Sequence, residues 1–85
     1  MQASVERLAH EVEAIIARSG FGGHLKSVVI DPDDDPDMPF FRVNLDLRDI
    51  EGRPTRDLIA LMEAIEDGLA PLDERSASVR FAEPN

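Results

Sequence analysis

The chain has 85 residues, 18 of them Asp or Glu against 9 Lys or Arg, a net charge of −9, and no cysteine. Disulfides, thiolate nucleophiles and Cys-ligated zinc or iron–sulfur centres are thereby excluded, and the negative field opposes non-specific attraction to nucleic acid or anionic lipid while favouring a basic protein partner. A chain of this length makes one domain, residues 1–85, and buries only roughly 60% of its unfolded surface, so self-association or a partner is a reasonable source of added stability.

Residues 1–20, MQASVERLAHEVEAIIARSG, carry charges at intervals and lack the unbroken apolar run of a signal peptide or membrane span. They read as part of a soluble, cytoplasmic protein. Val5, Leu8, Ala9, Val12, Ile15, Ile16 and Ser19 recur at spacings of three and four, which predicts an amphipathic helix from about Ser4 to Ser19. Ser4 suits the N-cap, Glu6 the first turn and Arg18 the last. Gly20 suits a left-handed residue just past the end, with Phe21 folding back on the last turn.

The run HLKSVVID, residues 24–31, predicts a first strand ending in an acidic loop, and FFRVNLDLR, residues 40–48, a second. In the latter, Phe41, Val43, Leu45 and Leu47 alternate with Phe40, Arg42, Asn44, Asp46 and Arg48, so one face is buried and the other wet. The two strands form a hairpin with a loop of about eight residues. A polar turn, RDIEGRPTR, then leads into the stripe Leu58, Leu61, Met62, Ile65 and Leu69, a second helix over roughly 54–68, with Pro54 at its start and Pro71 preventing continuation. After PLDER, the stretch SASVRFA predicts a short third strand. The order α-β-β-α-β implies an α+β two-layer sandwich: a three-stranded mixed sheet with two helices on one face and the other face bare.

The densest charge is DPDDDPD, residues 31–37. Asp31, Asp33, Asp35 and Asp37 match the first four ligand positions of a calcium-binding EF-hand loop, but Pro36 stands where the loop needs glycine and Arg42 where it needs a bidentate Glu. Strands replace the flanking helices. The stretch therefore reads as a charged hairpin tip, with weak divalent-cation binding as an alternative. GFGG, residues 20–23, matches the G-x-x-G letters of a KH loop, yet it leads from a helix into a strand and reads as a helix stop. No Lys-Ser/Thr follows, which excludes a phosphate-binding P-loop.

The opening α-β-β-α order resembles BolA-like and type II KH-like domains, and FFRV followed by EGR and an Arg-bearing helix is similar to the second-strand region of BolA-like proteins. The resemblance covers about half of the chain and departs where PLDER replaces the expected histidine and extra turn. It implies a nucleic-acid-binding alternative and carries over no residue. Against that alternative stand the absence of Tyr and Trp and the single lysine.

His10 and His24 lie far apart and read as surface histidines. No serine stands in a nucleophile-elbow context, and the carboxylates are too many to rank by role, so no cofactor and no enzymatic activity are expected. The bare sheet face is the strongest candidate. Phe40, Arg42, Asn44, Asp46, Arg48, Ser78 and Arg80 face outward if Phe41, Val43, Leu45 and Leu47 face the helices. The first strand adds either His24, Lys26, Val28 and Ile30 or Leu25, Ser27 and Val29, because one residue of slip exchanges the faces. In the first register Val28, Ile30 and Phe40 form an apolar spot beside Lys26, Arg42 and Arg80, as at an interface centre. The expected function is a non-enzymatic protein-interaction module that self-associates or binds a protein partner, a basic one being favoured by the charge, through the open sheet face or an edge strand.

Overall fold

The computed structural model describes residues 3–33, 37 and 39–82. Helix α1 (Val5–Arg18) is followed by a short 3-10 turn (Gly22–His24), strands β1 (Leu25–Asp33) and β2 (Phe40–Leu47), helix α2 (Thr55–Leu69) and strand β3 (Ser76–Phe81). The sheet order is β1-β2-β3, with β1 antiparallel and β3 parallel to the central β2. This is the expected α-β-β-α-β fold with a mixed three-stranded sheet.

Local chemistry explains the helix ends. The Ser4 hydroxyl accepts from the Arg7 amide at 3.2 Å, so one orphan donor of the first turn of α1 is satisfied. At the other end Gly20 adopts φ +83, and the Phe21 amide donates to the Ile16 carbonyl at 3.0 Å while Gly20 reaches Ala17. This double closure needs a left-handed residue, which glycine takes without steric cost, and it turns Phe21 into the core, 3% exposed.

One core joins the layers. Leu8, Val12, Ile15 and Ile16 of α1 and Leu61, Ile65 and Leu69 of α2 pack on Phe41, Val43 and Leu45 of β2. The alternation read in β2 is visible as buried odd and half-buried even residues from Phe41 to Asp46. Gly68 lets the helices approach closely, since a Cβ there would overlap Ile15 Cδ1 and lie 3.3 Å from Ile15 Cγ1.

Two expectations for β1 are corrected. The strand does not stop at the apolar run but continues through Asp31, Pro32 and Asp33, paired with Arg42, Phe41 and Phe40. An edge strand tolerates this proline because its outer side needs no ladder donor. The register is also the second of the two considered: Val28 lies opposite Leu45 and Ile30 opposite Val43, on the helix-covered side. Ile30 is buried and Val28 half-buried against the core, while Val29 is 55% exposed. A register shift between Leu25 and Ser27, a bulge at Lys26, also lets Leu25 pack against the core. A bulge inserts one residue and so exchanges the two faces across it.

Candidate interaction surface

The open sheet face therefore carries Ser27, Val29 and Asp31 from β1, Phe40, Arg42, Asn44 and Asp46 from β2, and Ser76, Ser78 and Arg80 from β3. The spot expected from Val28, Ile30 and Phe40 does not form, because Val28 and Ile30 belong to the core. Phe40 and Val29 remain, each on a different strand and separated by charge. Lys26 lies 3.7 Å from Asp46, and Arg42 lies 3.7 Å from Asp31 and 5.1 Å from the Phe40 ring centroid. Both ion pairs are solvent-exposed cross-strand pairs, worth about 0.2–1 kcal/mol each. They neutralise most of the positive charge foreseen on this face. Among the described residues Arg80 has no such ionic partner, and it stands at the edge.

Of the calcium-loop residues, Asp31 faces Arg42, Asp33 is part of the β1 ladder and Asp37 is exposed, while Asp35 lies outside the described residues. Among the described residues, no three His, Cys, Asp or Glu side chains gather closely enough to hold an ion. His10 is exposed on α1. His24 is more engaged than its sequence position suggested. Its Nδ1 lies 2.9 Å from the Arg48 carbonyl and its Nε2 3.4 Å from the Arg53 guanidinium, which also donates to the Gly20 carbonyl and stacks 4.5 Å from the Phe21 centroid. These contacts tie the end of α1 to the turn before α2. The partners of Arg53 are thus a carbonyl, an imidazole nitrogen and an aromatic face.

The two sheet edges differ. β1 is blunted by its bulge, by Pro32 and by Asp31, devices that prevent strand addition. β3 has no proline, no bulge and mostly small side chains. The Ser76 amide donates inward to Pro39 and the Ala82 amide inward to Leu45. By the alternation of a strand, Ala77, Val79 and Phe81 turn their main-chain N–H and C=O outward. Among the described residues no strand pairs with this edge.

Hollows flank the edge on both sides. On the open face one of about 510 Å³ is lined by Pro39, Phe40, Glu74, Ser76, Ser78 and Arg80. On the helix side another of about 370 Å³ lies among Glu66, Leu69 and Ala70 of α2, the Asp73–Arg75 turn, Ser76 and Ala77. Ser76 and Glu74 belong to both.

The floor of the helix-side hollow is held by a buried ion pair in PLDER. Asp73 Oδ1 accepts from the Arg75 amide at 2.9 Å and Nε at 3.0 Å, and Oδ2 accepts from the Arg75 guanidinium at 2.8 Å and from the Ala3 amide at 3.0 Å. The guanidinium stacks 5.4 Å from the Phe41 centroid. The Arg75 hydrogen bond outweighs the opposing effect of burial and holds the Asp73 carboxyl at about 2, below its ordinary 3.8. The sequence reading passed over this pair. Its signal was the Asp-x-Arg spacing in a turn, where an aspartate bonds the amide two residues on.

Phe40 and Arg80, both foreseen as outward, thus meet at the open-face hollow, whereas Lys26 and Arg42 are paired elsewhere and Val28 and Ile30 are interior. Glu66, Glu74, Ser76 and Pro39 were missed, since only the packing of α2 and β2 against β3 places them around its edge. Comparisons with protein-family models, curated proteins and solved structures return no match to this chain.

Proposed function

We propose that the chain is a non-enzymatic protein-interaction module that adds an extended segment of another polypeptide to the free edge of β3. The observation carrying this reading is the asymmetry of the edges: β1 is blunted, whereas β3 offers outward main-chain groups flanked by a hollow on each face. Strand addition draws its affinity from main-chain bonds and its specificity from pockets for alternate side chains, and this edge supplies both. A binding role also agrees with the Asp73 carboxylate, whose lone pairs are engaged by Arg75 and Ala3 and free for no proton transfer.

Nucleic-acid binding has weaker support, because Lys26 and Arg42 are paired with aspartates on the face where a phosphate backbone would lie. Divalent-cation control rests on a stretch whose Asp31 already faces a cation.

Photo-cross-linking tests the proposal. A photoreactive residue at position 78 is expected to capture another polypeptide in the producing cells, whereas one at Ala60, on the exposed side of α2, is expected to capture none. Ala77→Pro, which removes an outward donor but no bond to β2, and Ser76→Arg, which fills the open-face hollow without touching the core, should each abolish the capture. Equal capture from both positions, or persistence in both variants when they remain folded by circular dichroism, would refute the reading.

A further inference from the structure

We infer that the segment accepted by β3 is anchored by one large apolar side chain, paired with Ser76 and seated on Phe40 and Pro39 in the open-face hollow. This rests on the strand-addition reading above and adds the chemistry of the partner. Phe40 of β2 is the cross-strand neighbour of Ser76, so an added strand extends that row by one further residue. Its backbone lies two strand spacings from that of β2, about 10 Å. The small side chains of Ser76 and Ser78 leave a hollow of about 510 Å³ in between, and a cavity of about 150 Å³ already takes a benzene ring. Only a large side chain crosses that space to the half-buried Phe40 ring.

Backbone chemistry selects the row. The Ser76 amide donates inward to the Pro39 carbonyl, so in an antiparallel partner the residue opposite Ser76 belongs to a non-hydrogen-bonded pair, where side chains stand closest. The main-chain bonds are made by alternate residues of the partner, opposite Ala77 and Val79. Charge does not choose the anchor. Glu74 and Arg80 line the same hollow with opposite signs, and Glu74 already has a partner within the chain, so the apolar surface of Pro39 and Phe40 decides the occupant. The helix-side hollow is the poorer seat for a ring, since it offers Leu69 and Ala70 beside the Asp73–Arg75 ion pair and no aromatic ring among its described lining residues. Outside the anchor, the net charge of −9 favours basic residues at long range. A second copy of this chain fits less well, because its own β3 presents Ser76, Ser78 and Arg80 on the open face and no large apolar side chain.

The test uses the whole chain and a blocked heptapeptide, Lys-Thr-Thr-Thr-Thr-Phe-Lys, followed by NMR and amide exchange. At saturation, exchange of the Ala77 and Val79 amides is expected to slow at least about tenfold, with a dissociation constant on the order of 100 μM. The peptide ring is expected to give nuclear Overhauser contacts to Phe40 and Pro39. A peptide with Thr for Phe should bind at least about fivefold more weakly. Phe40→Ala should weaken the Phe-bearing peptide about threefold to tenfold and leave the Thr-bearing one unchanged. The ring contacts decide the same point in the unaltered chain, should Phe40→Ala fail to fold.

Ring contacts to Leu69 and Ala70 in place of Phe40 and Pro39 would overturn the inference, as would equal binding of the Thr-bearing peptide or strictly additive losses from Phe40→Ala and the peptide change. Protection of the Ala77 and Val79 amides in those cases would leave strand addition standing. If no peptide alters these amides the inference falls, and if position 78 also captures nothing in cells the strand-addition reading falls with it. Concentration-dependent dimerisation of the chain alone with the same amides protected would assign the edge to a second copy and likewise overturn the inference.

Discussion

Asp73 and Arg75 are the residues with the most to lose, because each is held in a nearly solvent-free place by the other. The side chains are 0% and 9% exposed, so removing Asp73 takes from the Arg75 guanidinium the carboxylate that holds it through two hydrogen bonds. Asp73→Asn is expected to cost about 3 kcal/mol by urea unfolding at pH 7. The pH dependence has a definite sign. The folded-state pKa is lowered from 3.8 to about 2, so the contribution is fully present above pH 3.8 and disappears as pH falls through 2. The shift corresponds to about 2 kcal/mol. The difference between wild type and Asp73→Asn should therefore narrow across that window; a gap unchanged from pH 5 to pH 2 would show that the ionised carboxylate is not its cause. Asp49 is a second informative residue, since it adopts φ 58 in the turn after β2. Asp49→Gly should raise stability by up to about 1 kcal/mol in thermal unfolding, because glycine bears no Cβ penalty there.

Among the elements, β1 shows how local pattern and tertiary environment divide the work. Its run of Val28, Val29 and Ile30 is apolar at every position, so periodicity alone could not choose a face. The structure chooses by pairing Ile30 with Val43. Ile30→Ala should then cost about 2–4 kcal/mol, whereas Val29→Ala should cost less than about 1 kcal/mol. Reversed magnitudes in parallel denaturant titrations would mean that the strand sits in the other register.

The two helices depend on Gly68 in the same concrete way. Glycine in a helix interior costs about 1 kcal/mol relative to alanine, yet here it makes room for Ile15. Gly68→Ala should thus destabilise by about 1 kcal/mol in spite of its better propensity. Adding Ile15→Val removes the methyl group that the new Cβ would meet. The double variant should cost less than the sum of the singles, and strict additivity would exclude the contact as the cause.

At the scale of the whole molecule, charge and edge exposure act together. Eighteen acids against nine basic residues on a globule whose radius of gyration is 12.7 Å give a negative long-range field, which under the proposed strand addition would favour a basic segment at the β3 edge. If the proposed strand addition holds, raising salt from about 50 to 300 mM should weaken association of a Lys-bearing extended peptide with the β3 edge several-fold through a slower association rate. A salt-independent affinity would remove the field of the protein from the explanation. Among the described residues no helix is long and apolar enough to cross a membrane.

The element order, both helix termini and the buried face of β2 were legible in the sequence because each follows from local rules. Ser4 caps, Gly20 turns left-handed, and Phe41, Val43 and Leu45 repeat with the period of a strand. The acidic stretch could be denied an EF-hand reading from Pro36 and Arg42 alone. Three features required the tertiary structure. The face of Val28 and Ile30 depends on their pairing with Leu45 and Val43, the burial of the Asp73–Arg75 pair on a ring and an amide far away in sequence, and the hollows beside β3 on side chains from α2, β2 and β3 together. Hydrophobic period and capping are properties of neighbouring residues, whereas register, ion-pair burial and the exposure of a sheet edge are settled only when distant segments pack.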